Sequence, residues 1–263
     1  MNNAMNIAAT GMMAQQTNVE VIANNIANLN TTAFRRQRAE FQDLLYQTDR
    51  REGAFSSQSN TIVPVGVQIG TGVMTAAVYQ ITTQGNLAQT GNPLDIAIQG
   101  LGFFQILQPP NGTIAYTRDG SFQLSPTGEI VTADGYIVQP GITVPQNTIA
   151  VTININGQVQ AQIAGQTNPQ TIGQLQLATF PNQAGLALLG QNLYQQTAAS
   201  GQPTIGNPGT TDFGTLQQGF LETSNVDIVT EITNMITAQR AYEMNSKVIS
   251  TSDQMLSTLN QIQ

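Results

Sequence analysis

The C-terminal stretch of the chain, Ser224–Gln263, reads SNVDIVTEITNMITAQRAYEMNSKVISTSDQMLSTLNQIQ. Its apolar residues recur every seven positions in two series, which are Ile228, Met235, Tyr242, Ile249 and Leu256, and Ala241, Val248, Met255 and Ile262. Such a repeat is typical of a helix that packs against another helix in a coiled coil. Ser224 followed by Asp227 fits a capping box, so the pattern predicts that the helix begins at Ser224.

The N-terminal segment Met1–Leu29 carries the same repeat. Met5, Met12, Val19 and Ile26 share one position, and Met1, Ala8, Gln15, Ile22 and Leu29 share the position three residues later. Because both terminal helices have few charges on their outer surfaces, we expect them to pack against further copies. The alternative is a helix pair that packs only within the chain. The residues expected between copies are Met5, Met12, Val19, Ile22, Ile26, Leu29, Ile228, Met235, Tyr242, Ile249 and Leu256.

The composition narrows the possible functions. Charged residues make up only 9% of the chain and the net charge is -7, which argues against nucleic acid and anionic membranes as partners. Cys and His are absent, which removes the usual zinc ligands and thiol chemistry, and we expect no metal or cofactor. The N-terminus lacks the basic, apolar pattern of a secretory signal, and no run is long enough to span a membrane.

The middle of the chain, residues 86–217, is rich in strand signals. Short runs such as Asp95–Ile98 and Val151–Ile155 alternate apolar and polar residues, and turn dipeptides such as Asp134-Gly135 and Asn156-Gly157 separate them. The pattern predicts an antiparallel β domain.

Between the first helix and this domain lies a linker, residues 31–85, that holds much of the charge. Its arginines Arg35, Arg36, Arg38, Arg50 and Arg51 are interspersed with acidic residues. We consider two interpretations, a solvated linker and a strip of ion pairs between copies. The polar segment from Tyr46 to Pro64 is predicted to form an extended arm or a hairpin.

Catalysis has weak support in the sequence. Asp95, Asp119, Glu129, Asp134 and Asp212 lie in or beside the β region, and two carboxylates are the minimum for a glycoside hydrolase. Most of these positions are turns, where Asp is favoured by backbone hydrogen bonding. Arg118 is either a ligand contact or, more commonly for such an arginine, half of a surface ion pair. A hydrolase and a surface-binding module therefore remain as alternatives to a structural polymer.

Three separated sets of motifs carry a family resemblance. They are ANNIAN at residues 23–28 with TAFRR at 32–36, DIAIQGLGFF at 95–104 with YTRDGSF at 116–122, and GFLETSNVD at 219–227 with QRAYEMNSK at 239–247. In these motifs the chain resembles the bacterial flagellar axial proteins of the rod and hook. Ala33 stands where that family usually has Gly, and because Ala resists a positive φ angle we expect a different backbone conformation there.

The resemblance implies a structural, non-enzymatic subunit of a rigid hollow helical tube, the distal rod, which transmits motor torque to the hook. A proximal rod or hook-type subunit is the alternative within the family. The implied partners are further copies of the chain, proximal rod proteins, the hook or its junction, surrounding ring proteins and the flagellar export apparatus, with no nucleic acid and no membrane insertion. The implied location is the basal body, where the rod crosses the periplasm and outer membrane after export without a cleaved signal peptide.

The expected fold is α+β. Long N- and C-terminal coiled-coil helices, residues 1–30 and 218–263, would line the inner tube and flank a mainly antiparallel β domain, residues 86–217, on the outside. An extended, hairpin-like linker, residues 31–85 with its arm at 46–64, would join the first helix to this domain.

Overall fold

Two long helices lie at the ends of the chain. The computed structural model describes residues 2–51, 65–108, 112–166 and 168–262. Helix α1 spans Asn2–Ala27 and helix α2 spans Ile228–Ile262. The predicted start of α2 at Ser224 is wrong, because Asp227 caps the helix: its Oδ1 accepts a hydrogen bond from the Val229 amide at 3.3 Å, and its carbonyl accepts one from the Glu231 amide.

Strands fill the chain between the helices. In the described residues, the first four are β1 (Gln37–Asp43), β2 (Tyr46–Arg50), β3 (Val67–Gly70) and β4 (Val73–Gln80). The next eight are β5 (Leu87–Gln89), β6 (Ile96–Gln99), β7 (Phe103–Gln108), β8 (Thr113–Thr117), β9 (Gln123–Leu124), β10 (Ile130–Val131), β11 (Ile137–Val138) and β12 (Thr148–Ile153). The last eight are β13 (Gln158–Ile163), β14 (Gln170–Gln174), β15 (Leu177–Thr179), β16 (Ala187–Gly190), β17 (Leu193–Gln195), β18 (Thr204–Gly206), β19 (Thr215–Gln218) and β20 (Phe220–Glu222).

The chain divides into two compact units. The first, which we call the helical unit, comprises Met1–Ala27, Gln37–Gln80 and Asp227–Gln263, and the second, the β unit, comprises Asn28–Arg36 and Ile81–Val226. The units therefore cut across the four segments expected from the sequence. The predicted linker is shared between them, because its strands β1–β4 belong to the helical unit and its two ends to the β unit.

In the helical unit, α1 and α2 pack as an antiparallel pair. Gly11 lies against Asn245, whereas Asn25 near the other end of α1 contacts Glu231 in the first turn of α2. A two-stranded ribbon packs beside α1: β1 pairs antiparallel with β4, and β2 pairs antiparallel with β3. The ribbon lies within the segment for which the sequence predicts a hairpin-like linker. Residues 52–64 of the predicted arm lie outside the described part of the chain.

The β unit is built from antiparallel pairs. Within the described residues its largest sheet follows the order β16-β17-β8-β7-β11-β10-β9, with β15 pairing both β7 and β18. A three-stranded sheet, β12-β13-β14, and the pairs β19-β6 and β20-β5 complete it. The prediction of two terminal helices and a mainly antiparallel β domain is confirmed.

The core of the β unit consists of aliphatic and aromatic residues from these strands. Ile96, Ile98, Phe104 and Leu177 are fully buried in the main cluster. A second cluster is aromatic: the rings of Phe103, Tyr116, Phe180 and Tyr194 meet edge to face, with centroids 4.8 to 5.9 Å apart. Edge-to-face contacts add stability beyond that of burial alone, so the β unit has a well-packed core.

Candidate assembly surface

The seam between the two helices is lined by small and polar side chains. Ala8 of α1 and Ala238 and Ser252 of α2 are buried. At Gly11 a Cβ atom would lie 2.8 Å from Nδ2 of Asn245, so the backbone of α1 runs close to the neighbouring side chain. Small residues at a contact reduce the distance between helix axes, and the seam is therefore narrow.

Of the two apolar heptad series predicted in α2, residues of only the first lie at the seam. Met235, Ile249 and Leu256 are half-buried, and they alternate with Glu231, Ala238, Asn245 and Ser252. The second series expected from the apolar pattern lies elsewhere, because Val248 and Met255 are exposed. The polar and small residues of the seam also recur every seven positions, and this repeat was the signal for them in the sequence. A search for apolar residues alone does not find it.

Several large apolar side chains of α2 remain uncovered. They form two patches, a first apolar patch of Val229, Ile232 and Ile236 and a second apolar patch of Met244, Val248 and Met255. Val229 is 69% exposed and Met244 is 72% exposed. With 3.6 residues per turn, each patch occupies one side of the helix away from the seam. A single chain thus leaves a surface that is apolar enough to bind a partner.

The eleven residues predicted between copies fall into different environments. Ile22 is buried, Ile228 and Tyr242 are exposed, and the others are half-buried: Met5, Met12, Val19, Ile26, Leu29, Met235, Ile249 and Leu256. Leu29 belongs to the β unit and the other ten to the helical unit.

A shallow groove of about 360 Å³ lies between the two helices. Val19 and Glu20 of α1 and Tyr242 and Glu243 of α2 line it, together with glutamine side chains from both helices. The groove has an aromatic wall and two carboxylates at its edge, and it is the part of the helix pair where the predicted interface residues Val19 and Tyr242 come together.

The ribbon β1–β4 exposes apolar side chains along its length. Leu45, Tyr46, Val67, Ile69 and Val78 are all exposed. A two-stranded ribbon has little stability of its own in water, and an edge strand can pair with a strand of another chain. The ribbon is therefore a second surface suited to contacts with another chain.

Three polar side chains form a cluster on this ribbon. Glu40 accepts hydrogen bonds from Arg38 at 2.8 Å and from the Tyr79 hydroxyl at 2.6 Å, and the Arg38 guanidinium also bonds Tyr79. These bonds hold the pKa of Glu40 below its usual value, with the Tyr79 bond contributing most. Arg50, the last residue of β2, and Arg51, which follows it, are also exposed.

Arg35 does not belong to the exposed arginine strip predicted in the linker. Arg35 is only 3% exposed, its Nη1 donates to Gln183 Oε1 at 2.9 Å, and its guanidinium lies over the Phe103 ring. Burial, with a smaller contribution from neighbouring Arg118, lowers the pKa of Arg35 to about 10. Arg35 is therefore a core residue of the β unit, since an exposed strip requires a solvated guanidinium.

Arg118 forms a buried ion pair. Its Nε donates to Glu222 Oε2 at 2.8 Å, and its Nη groups donate to the carbonyls of Ile98, Gly100 and Gly102. Both side chains are almost completely buried. The expectation of a surface pair or a ligand contact is wrong, because the guanidinium is fully used in joining distant segments of the β unit.

Ala33 adopts the conformation that we expected it to avoid. Its φ angle is +54°, its amide donates to the Glu222 carbonyl at 2.8 Å, and its methyl group is buried. The prediction of a different backbone at this position is therefore wrong. The buried hydrogen bond keeps the left-handed geometry despite its cost for a residue with a Cβ.

Two of the candidate carboxylates, Asp95 and Asp119, have structural roles in the β unit. Asp119 accepts bonds from the Ser121 amide and hydroxyl and from Asn192, and Asp95 accepts bonds from Thr90 and Asn92. Three surface grooves in the described part of the β unit have no Asp or Glu in their walls. Among the described residues, no cluster suited to a metal ion is found.

Three family models match the chain. The model of the flagella basal body rod protein covers residues 5–35, that of the flagellar hook protein FlgE/F/G D1 domain covers residues 97–161, and that of the flagellar basal body rod FlgEFG protein C-terminal covers residues 217–262. The flagellar basal-body rod protein FlgG of Caulobacter vibrioides is 59% identical over 98% of both chains. The chain belongs to the flagellar rod and hook protein family.

Other members of this family match over nearly the full length. FlgG of Agrobacterium fabrum is 54% identical over 98% of both chains, and FlgG of Bacillus subtilis is 40% identical over 95% of both. The family is a structural one. None of the described helices is long and apolar enough to cross a membrane.

Proposed function

We propose that the chain is a structural subunit of the flagellar distal rod, which assembles with copies of itself into a rigid hollow helical tube and transmits motor torque to the hook. The observation that carries the proposal is the uncovered apolar surface of α2. The full-length similarity to basal-body rod proteins named FlgG supports it and favours a rod subunit over a hook-type one.

The apolar patches supply the driving force for assembly. Burying one large aliphatic side chain fully contributes about 1.5 to 3 kcal/mol, and each copy offers six such side chains in the two patches. Association also costs translational and rotational freedom, so a single contact of this kind is weak. Many neighbours in a tube bury both patches at once, which makes assembly favourable.

The predicted interface divides into two parts on this proposal. Ile22, Met235 and Ile249 stabilise the helix pair within one chain, whereas Tyr242 and Ile228 face other copies. The two apolar patches extend the surface between copies beyond the residues predicted from the heptads. The helices form the inner layer of the tube as coiled-coil-like pairs, and the β unit forms the outer layer.

The ribbon adds a second contact between copies. Its exposed apolar residues and open edges suit an extended surface of a neighbouring copy, and such a contact resists bending of the tube. Arg50 and Arg51, which are exposed, remain candidates for ion pairs between copies.

The position in the flagellum follows from this role. The rod crosses the periplasm and the outer membrane, with proximal rod proteins at one end, the hook or its junction at the other, and ring proteins around it. The chain reaches the growing tip through the flagellar export apparatus without a cleaved signal peptide.

The test compares charged substitutions on α2. Val248→Asp and Ile236→Asp place a carboxylate in each apolar patch, and we expect each to lower the fraction of protein in sedimentable tubes at least about tenfold. Ser246→Asp, at an exposed position outside both patches and on the opposite side of the helix from the second, is the control and should assemble normally. Sedimentation and negative-stain microscopy measure the outcome, and normal tubes from both patch variants would refute the proposed surface.

A further inference from the structure

A short segment that follows α1 belongs to the β unit, although residues 37–80 separate it in sequence from the rest of that unit. We call Thr32–Arg36 the latch segment. The chain leaves the β unit at Arg36 and returns to it at Ile81, and the intervening chain carries the ribbon β1–β4. The way in which the latch segment is held therefore decides where the intervening chain begins and ends on the β unit.

Backbone hydrogen bonds join the latch segment to the C-terminal part of the β unit. The Ala33 amide donates to the Glu222 carbonyl at 2.8 Å. In the opposite direction, the Asn225 amide donates to the Phe34 carbonyl at 3.3 Å. Ala33 and Glu222 are both buried, and buried backbone groups are costly to leave unpaired. These bonds therefore connect two parts of the β unit that are far apart in the sequence.

Side chains add further contacts to the latch segment. The Arg35 guanidinium is buried over the Phe103 ring and donates to Gln183 Oε1 at 2.9 Å. Asn192 Nδ2 donates to the Thr32 carbonyl at 3.2 Å. All of these partners belong to the β unit. The contacts that hold the latch segment can therefore form whether or not α1 and α2 are helical.

The side chain of Asn225 bonds both ends of the intervening chain. Its Oδ1 accepts a hydrogen bond from the Arg36 amide at 2.6 Å, and its Nδ2 donates to the carbonyls of Ile81 at 3.1 Å and Thr83 at 2.8 Å. The Ile81 amide also donates to the Arg36 carbonyl at 2.8 Å. A side-chain amide offers both donors and an acceptor, whereas Leu has a similar size and makes none of these bonds. The position therefore requires asparagine.

We infer that Asn225 is a positioning residue that keeps the latch segment bound to the β unit in the unassembled chain, whether or not the helices are formed. The two ends of residues 37–80 are then held together as a closed loop. Closing a loop costs chain entropy, and folding of the β unit meets this cost before assembly begins. The consequence for assembly rests on the proposed function, in which the ribbon of this loop contacts another copy.

Hydrogen–deuterium exchange of the whole chain, kept dilute enough to remain monomeric, tests the inference. The amides of Ala33, Arg36, Ile81 and Asn225 report on the latch segment, because each is a donor in the bonds described above. Strand β7, which lies in the buried core, is the reference for the fold of the β unit. In the unchanged chain we expect the four latch amides and strand β7 to be protected from exchange.

Three variants separate the possible causes of protection. Asn225→Leu removes the side-chain bonds, so the amides of Arg36 and Ile81 should exchange at least about tenfold faster while strand β7 stays protected. Asn147→Leu makes the same change at an exposed position of the β unit and should leave the latch amides protected. Ala14→Pro interrupts α1 and should also leave them protected, because the partners described above belong to the β unit.

Three results would overturn the inference. Fast exchange of the latch amides in the unchanged chain would mean that the segment is not bound before assembly, and fast exchange in Ala14→Pro alone would mean that binding depends on α1. If the latch amides of Asn225→Leu stay protected, Asn225 is not needed, and if strand β7 loses protection with them, Asn225 supports the whole β unit instead. The assembly test on Val248 and Ile236 is independent of all these results, so failure of the inference is distinguishable from failure of the proposed function.

Discussion

At the scale of single residues, the β unit depends on a few side chains in unusual settings. Ala33 has a positive φ angle, Arg35 is buried over an aromatic ring, and Arg118 and Glu222 form a buried ion pair. Each of these residues holds together segments that are far apart in the sequence. Substitutions here should therefore affect the stability of the β unit more than most surface changes do.

The backbone at Ala33 gives the first prediction. Ala33→Gly should keep or slightly raise the free energy of unfolding of the β unit, because relief of about 1 kcal/mol of left-handed strain offsets the loss of the buried methyl group. Ala33→Val should lower it by about 2 kcal/mol or more, since a β-branched residue is strained at this φ angle and lacks room. Urea unfolding followed by near-UV circular dichroism measures both. Equal stability of the Gly and Val variants would be inconsistent with the strain.

The buried ion pair gives the second prediction. Glu222→Ala should lower the free energy of unfolding by about 3 to 5 kcal/mol, because Arg118 is then buried without a compensating charge. The matched control is Glu40→Ala, which breaks the exposed pair with Arg38 and should leave the melting temperature nearly unchanged. If the two variants lose similar stability, the burial of the Arg118–Glu222 pair does not explain its contribution to stability.

At the scale of elements, the helix pair combines a narrow seam with an uncovered outer surface. The heptads correctly indicate that each terminal segment is a helix, but only one of the two α2 series lines the seam. Val248 and Met255 of the other series belong to the second apolar patch. Apolar residues thus serve two different contacts, one within the chain and, on our proposal, one between copies.

Gly11 tests how narrow the seam must be. Gly11→Leu should destabilise the helix pair by about 1 to 3 kcal/mol, because the new side chain meets Asn245 at the point of closest approach. Gly11→Ala is the control, since its better helix propensity partly offsets a contact with the flexible end of Asn245. Thermal unfolding at 222 nm measures both, and a Leu variant as stable as the Ala variant would show that the seam accommodates bulk.

At the scale of the whole molecule, the ribbon and the helices should make separable contributions to assembly. Removing residues 46–70 deletes β2, β3 and the segment between them but retains β1 and β4. We expect the β unit to keep its melting temperature, since the deleted strands lie in the helical unit. Tubes should become fewer and more flexible in negative-stain images. Straight, abundant tubes from the truncated chain would argue against a stiffening role for the ribbon.

The sequence by itself determined much of this protein. Heptads placed helices at both ends, alternating runs with turn dipeptides placed an antiparallel β domain between them, and three motif sets indicated the flagellar family. These features are local, because helix periodicity, strand alternation and turn chemistry are expressed over a few neighbouring residues. Charge and composition, which need no structure, excluded the usual metal and thiol chemistry.

The tertiary structure alone decided the environment of individual residues. Arg118 meets Glu222 across 104 positions, and Asn25 meets Glu231 across 206, so no window of sequence contains either pair. Arg35 is buried and Ala33 takes a positive φ angle because distant segments close around them. Which heptad residues face the partner helix likewise depends on how the two ends of the chain align. Such contacts depend on packing between distant segments, so the local sequence pattern does not predict them.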